Sequence, residues 1–218
     1  MDARRNRGNS LVKLYVEGGG DSNLLKTACR KGFSSFLRSA GLGGSMPRIV
    51  ACGSRKNAYD SFCRAINHGE NALLLVDSES PVSATHQQGP VAQWEPWGHL
   101  RNRQGDQWTK PANASDEDCH LMVQCMEAWL LTDGAVLREF FGQGFNANAL
   151  PATANQIESI PKNQLYRALA DATRGCKTKA IYGKSEHSFK LLALISPVLV
   201  AAASPWAKRF IDTAKARA

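Results

Sequence analysis

Two short acidic stretches carry the chemistry open to this chain: Glu17-Gly18-Gly19-Gly20-Asp21 and Asp77-Ser78-Glu79. Carboxylates brought together repel one another, and burying them uncompensated is costly, so a cluster of them calls for a cation. Magnesium prefers oxygen ligands. It usually takes one or two carboxylates and leaves its other positions to water and a substrate phosphate. On an extended segment the side chains of i and i+2 point the same way. Asp77 and Glu79 are therefore expected to share one metal face, with Ser78 pointing away. The chemistry open to such a group is metal-dependent work on a phosphate, with Mg2+ or Mn2+ as the ion.

Elements far apart in the chain must bring these acids together. Leu11 to Val16 is mostly apolar, short and stopped by a glycine triplet, so it reads as a buried strand that delivers Glu17 to its carboxyl end. The glycines allow a sharp turn and close approach of a ligand, and Asp21-Ser22-Asn23 offers caps for a helix from Leu24 to Ala40. Arg48 to Cys52 is a second strand, Arg55 to Asn67 a helix, and Ala72 to Val76 a third strand that ends at Asp77. This β-α-β-α-β order predicts an α/β fold: a Rossmann-like parallel sheet of about four strands with flanking helices. Ligands of such sheets sit beyond the carboxyl ends of the strands, where Glu17 and Asp77 both fall.

Cys119 to Gln124 reads as the fourth strand and leads into a helix over 126–133, with Glu127 at its start. Glu127 is a further candidate acid, although a carboxylate there also complements the helix dipole. Asp133 is a weaker candidate. Residues 134–141, 163–173, 188–195, 197–203 and 205–216 read as a helical C-terminal region, and 145–161 has little pattern. The expected organisation is a basic flexible arm over 1–10, then one α/β domain over 11–218. That domain carries an extended loop at about 80–117 and a helical extension from about 134. The loop interleaves Trp94, Trp97 and Trp108 with Arg101, Arg103 and Lys110. Such a segment either stacks bases and pairs with phosphates or packs a small cluster of its own.

Twenty-seven Lys and Arg against nineteen Asp and Glu give a net charge of +8, which favours polyanionic partners such as nucleic acid. Ser54-Arg55-Lys56-Asn57 opens a helix with two cations where the dipole opposes them, as a phosphate site would require. Lys184 and His187, in Gly183-Lys184-Ser185-Glu186-His187, could supply a cation or proton donor late in the chain. None of the six cysteines forms a Cys-x-x-Cys pair, so neither a zinc knuckle nor a disulfide framework is expected. The polar start and the absence of a long apolar run point to a cytoplasmic protein without a membrane span.

The two acidic motifs, each after a strand, resemble the Toprim domain of topoisomerases, bacterial primases and overcoming-lysogenisation-defect nucleases, over roughly residues 11–133. More closely, Ser54-Arg55-Lys56-Asn57-Ala58-Tyr59, Met122 to Trp129 and the region around His187-Ser188-Phe189 resemble an uncharacterised bacterial Toprim-like family. That family is often encoded beside an ATPase of the AAA or ABC type. The resemblance implies Glu17 as general acid/base or metal ligand, Asp77 as the principal magnesium ligand and Glu79 as the second member of the acidic pair. It also implies a nuclease within a bacterial defence system, with an ATPase partner. The wider pattern has Asp-x-Asp, and here the second member is Glu79, whose extra methylene still permits ligation. No tyrosine can be assigned as a topoisomerase nucleophile.

Two other readings compete. One is a non-catalytic Toprim-like module that docks on nucleic acid or on the ATPase. The other takes the glycine triplet as a nucleotide phosphate loop, but the chain has neither Gly-Lys-Ser/Thr nor Gly-x-Gly-x-x-Gly at that point.

Overall fold

A computed structural model describes residues 11–152 and 157–218. The expected basic arm of residues 1–10 lies outside the described residues, as do residues 153–156 of the weakly patterned stretch. The expected α/β fold is present. Four parallel strands, β1 (Lys13–Gly19), β2 (Arg48–Gly53), β3 (Ala72–Asp77) and β4 (Cys119–Met122), lie in the order β2-β1-β3-β4. Helix α1 (Asn23–Leu37) links β1 to β2, and α2 (Arg55–Asn67) links β2 to β3. From β1 the chain moves outward to β2, and from β3 it moves the other way to β4. The topological switch point therefore lies between β1 and β3, where ligands of open α/β sheets bind. Glu17 and Asp77 stand at that crevice.

Strand alternation divides the core. Leu14, Val16, Leu73 and Leu75 face one side and meet Phe33, Phe36 and Leu37 of α1. Tyr15, Leu74 and Val76 face the other and meet Ala58, Phe62 and Ile66 of α2. β3 is buried at all six positions, as an interior parallel strand requires.

β1 runs two residues beyond Glu17. Gly18 and Gly19 both pair with Gly53 through a register shift, so the glycines form a bulge rather than ending the strand. Gly19 has φ +87, and a Cβ there would stand 2.7 Å from the Lys26 Cα and 2.9 Å from its nitrogen. Only glycine lets the strand end pass this close to the first turns of α1. Gly19→Ala should cost about 2–3 kcal/mol, read as a lower urea midpoint; an unchanged midpoint would show that α1 yields freely.

The 80–117 segment is not a loop of exposed stacking residues. It contains α3 (Pro96–Asn102) and several short turns. Trp94, Trp97 and Trp108 are buried in the second core, beneath α2 and beside Trp206. Three large indoles gain more from removal from water than from waiting for a base.

After β4 the expected helix over 126–133 shrinks to one turn, α4 (Glu127–Leu130). The strand also ends two residues early, because the site consumes the backbone here. Ser78 N–H donates to the Met122 carbonyl and Glu79 N–H to the Gln124 carbonyl. Helices α5 (Gly134–Phe141), α6 (Lys162–Thr173), α7 (Lys184–Leu192), α8 (Pro197–Ala203) and α9 (Pro205–Arg217) follow. α7 packs on α1 and α9 on β4, so the C-terminal helices complete the sheet's cover. Among the described residues no single helix is long and apolar enough to cross a membrane.

Candidate metal centre

Glu17, Asp77 and Glu79 converge. One oxygen from each lies within 4.8 Å of the others. The Glu17 Oε2 accepts the Asp77 backbone N–H at 3.0 Å, which locks the first acid against the backbone of the second. Asp77 Oδ1 accepts the Met126 N–H at 2.8 Å, leaving Oδ2 toward the pocket. Glu79 reaches the group in a way strand geometry does not supply. β3 ends at Asp77, and Glu79 adopts φ +65, the left-handed region that a non-glycine residue rarely enters. Its N–H bond to Gln124 and its ion pair with Lys162 hold it there.

Three cations face the acids. Arg55 donates to the Asp77 carbonyl and lies 3.5 Å from Glu17 Oε2. Lys162 lies 2.7 Å from Glu79 and 4.0 Å from Asp77. Lys184 lies 3.8 Å from Asp77 and 3.6 Å from Glu127. Glu127 is fully buried and forms the back wall, accepting from the Tyr166 hydroxyl at 3.0 Å and the Ser188 hydroxyl at 3.1 Å. Glu17, Asp77 and Glu127 open onto a pocket of about 250 Å³ between the glycine bulge and the start of α7, with Met126 and Phe189 as apolar walls; Glu79 stands outside its lining.

Burial raises the Glu17 carboxyl against the pull of Arg55 and the Asp77 N–H. Asp77 is pushed well above the usual carboxylate range, by burial first and then by the charges of Glu17 and Glu127. Burial also acts upward on Glu79, but the hydrogen bond and charge of Lys162 outweigh it and leave that carboxyl below its ordinary value. Burial acts downward on Lys184, and Glu127 and Asp77 outweigh it, keeping the ammonium charged. The site thus joins two carboxylates that resist ionisation to a lysine, Lys184, that stays charged. A hard divalent cation would stabilise the ionised form of both acids.

Of the eight residues read from the sequence, six meet here: Glu17, Asp77, Glu79, Glu127, Arg55 and Lys184. Two point elsewhere. Lys56 is exposed and pairs with Asp60 one turn along α2. His187 is buried among Phe140, Phe141 and Tyr182, and its Nδ1 accepts the Gly183 N–H at 3.0 Å, as an internal cap of α7. Arg55 is itself engaged within the fold: it bonds Asp106 at 2.6 Å and lies over the Trp108 ring at 5.1 Å. Asp133 caps α5 through the Val136 N–H and accepts the Ser196 N–H. Sequence reading passed over Lys162, Tyr166 and Ser188. Lys162 did carry a signal, since a cation in the first turn of a helix opposes the dipole there, as at Arg55.

The family described as Domain of unknown function (DUF4276) matches residues 16–214, which takes in every residue of this site. No curated protein and no solved structure matches the chain.

Proposed function

We propose that this chain, which belongs to the DUF4276 family, is a Toprim-like metal-dependent phosphodiesterase that cleaves nucleic acid. The observation that carries the reading is the convergence of Glu17, Asp77 and Glu79 within 4.8 Å at the switch point of the sheet, beside a pocket that admits Lys184. These three carboxylates would hold Mg2+ or Mn2+. The donor set fits such an ion: all oxygen, with two members, Glu17 and Asp77, whose ionised forms burial disfavours and a divalent charge would stabilise. When bound, the metal supplies Lewis-acid stabilisation of a phosphoryl oxygen and a lowered pKa for water.

The remaining steps belong to the chain. Lys184, half exposed at the pocket, orients a phosphate and offsets charge that builds on it. Glu127, with Tyr166, holds Lys184 in place. Glu17, held against the Asp77 N–H at 3.0 Å, is the carboxylate placed to move a proton beside Asp77, a role the Toprim resemblance supports. Arg55 fixes both Glu17 and the end of β3. The resemblance to Toprim nucleases supports the choice of reaction, and the net charge of +8 supports nucleic acid as substrate. An ATPase partner and a role in bacterial defence rest on that resemblance alone.

Metal binding should release protons. Burial keeps Asp77 and Glu17 protonated to higher pH than usual, and the ion binds their ionised forms. The apparent affinity for Mn2+ should therefore rise with pH until both acids are ionised, and calorimetry in two buffers of different ionisation heat should report net proton release. Binding that ignores pH would remove both acids from the ligand set.

One observation favours a second reading. Lys162 and Lys184 already stand within 4.0 Å of Asp77, so the protein's own cations neutralise part of the cluster. On that reading the chain is a non-catalytic module that docks on nucleic acid or on an ATPase. A thermal midpoint raised by Mn2+, together with Mn2+-dependent cleavage of labelled oligonucleotides, supports the enzyme. A midpoint unmoved by Mn2+ and Mg2+, with no cleavage, supports the module.

A further inference from the structure

Charge is unevenly distributed along this chain. Residues 22–59 contain seven Lys and Arg and no Asp or Glu, so 7 − 0 = +7 is concentrated there, against +8 for the whole chain. In the structure this stretch forms α1, the edge strand β2 and the start of α2. Arg55 is used inside the metal centre, and Lys56 pairs with Asp60. Among the described residues Lys26, Arg30, Lys31, Arg38 and Arg48 stand in no ion pair.

Their placement is directional. Lys26 lies at the site end, its Cε 3.8 Å from the point where a Cβ on Gly53 would sit. Gly32 turns toward α7, where a Cβ would meet the Phe189 carbonyl oxygen at 2.7 Å. Arg30, two residues away and so rotated by about 200°, lies on the flank away from α7. From Lys26 to Arg38 the helix advances twelve residues, about 18 Å. Because α1 runs back against the parallel strands, Arg38 lies toward the end of the sheet where β2 begins with Arg48. The cations thus run from the rim of the carboxylate pocket to the opposite end of the sheet.

We propose that this face is a track for the phosphate backbone of a nucleic acid, leading one strand to the carboxylates. An 18 Å path matches about five base pairs at 3.4 Å per step. A row of cations in no ion pair, drawn from a stretch of chain that holds no acid, suits a regular polyanion better than a protein surface of mixed charge. The track leans on the phosphodiesterase reading for its destination; its charge pattern stands apart from that reading.

The test is binding of a labelled duplex, followed by fluorescence anisotropy over a salt series with EDTA present, so that no cleavage occurs. Replacing Lys26, Arg30 and Arg38 together by Gln should weaken binding and flatten the dependence of log affinity on log salt by about 2.7, at about 0.9 per lost contact. A control in which Arg167, Arg174 and Lys208 become Gln loses equal charge outside the track and should leave the slope as in the parent. The track is overturned if both triples change the slope alike, if the first leaves it unchanged, or if parental binding is flat with salt. Cleavage in Mn2+ is measured separately on the parent. Cleavage with no slope change retains the enzyme and removes the track, and a slope change with no cleavage does the reverse.

Discussion

Replacing Asp77 by Asn should abolish metal-dependent cleavage, by at least about a thousandfold, while making the metal-free protein more stable rather than less. Asp77 is almost wholly buried, and its carboxyl is raised by burial and by the charges of Glu17 and Glu127. Asn keeps an oxygen for the Met126 N–H and the shape of the side chain, and removes a charge that the interior disfavours. Neither lysine loses its only partner, because Lys162 keeps Glu79 and Lys184 keeps Glu127. A gain of about 1–2 kcal/mol in the absence of metal is expected, with loss of the thermal shift produced by Mn2+.

The sign with pH follows from the direction of the shift. A carboxyl raised in the folded state contributes stability at pH below its unfolded value, and that contribution is lost as pH climbs through the raised folded value. The parent should therefore lose stability across this range relative to Asp77→Asn, and the two urea midpoints should diverge as pH rises toward neutrality. A variant that cleaves like the parent would end the assignment of Asp77. One that merely unfolds would show that the carboxylate has a structural role.

Arg55→Ala should be the most damaging single change at the site. Arg55 holds Glu17, the Asp77 carbonyl and Asp106 at once, and covers Trp108. Asp106 is nearly buried and would be left with Arg103 alone, at 3.1 Å. Removing one partner from such a group typically costs about 3–5 kcal/mol. Glu17 would lose the charge that most opposes its burial, so its carboxyl would rise further and cleavage would fall with stability. Arg55→Lys should recover less than half of either loss, because an ammonium cannot span Asp77, Glu17 and Asp106 as the planar fork does. The check is the urea midpoint together with the cleavage rate of both variants. Full rescue by Lys would reduce Arg55 to a point charge.

Arg55 also shows where sequence reading reaches its limit. Its position at the start of a helix, against the dipole, points to a phosphate, but the partners it has in the structure give it another reason to be there. That reason lies in the acids Glu17 and Asp106 and in the Asp77 carbonyl, and no local pattern reports which of them a helix end will meet. The tryptophans of the 80–117 segment show the same limit. Their composition fits both a stacking platform and a core, and only the covered face of the sheet, which needs apolar volume beneath α2, selects burial.

Local spacing alone determined that this chain makes parallel strands separated by helices, and that Asp77 ends one strand while Glu17 falls near the end of another, two residues inside it. Apolar runs of strand length, punctuated by glycine and by cap residues, are local facts of covalent order. Tertiary structure decided that β1 and β3 are neighbours on either side of a switch point. It also decided that Glu79 turns inward through a left-handed backbone, and that Lys162, eighty-three residues away, meets it. Strand order depends on which crossover packs over which neighbour, and that is settled by burial summed over the whole sheet rather than by any stretch of the sequence.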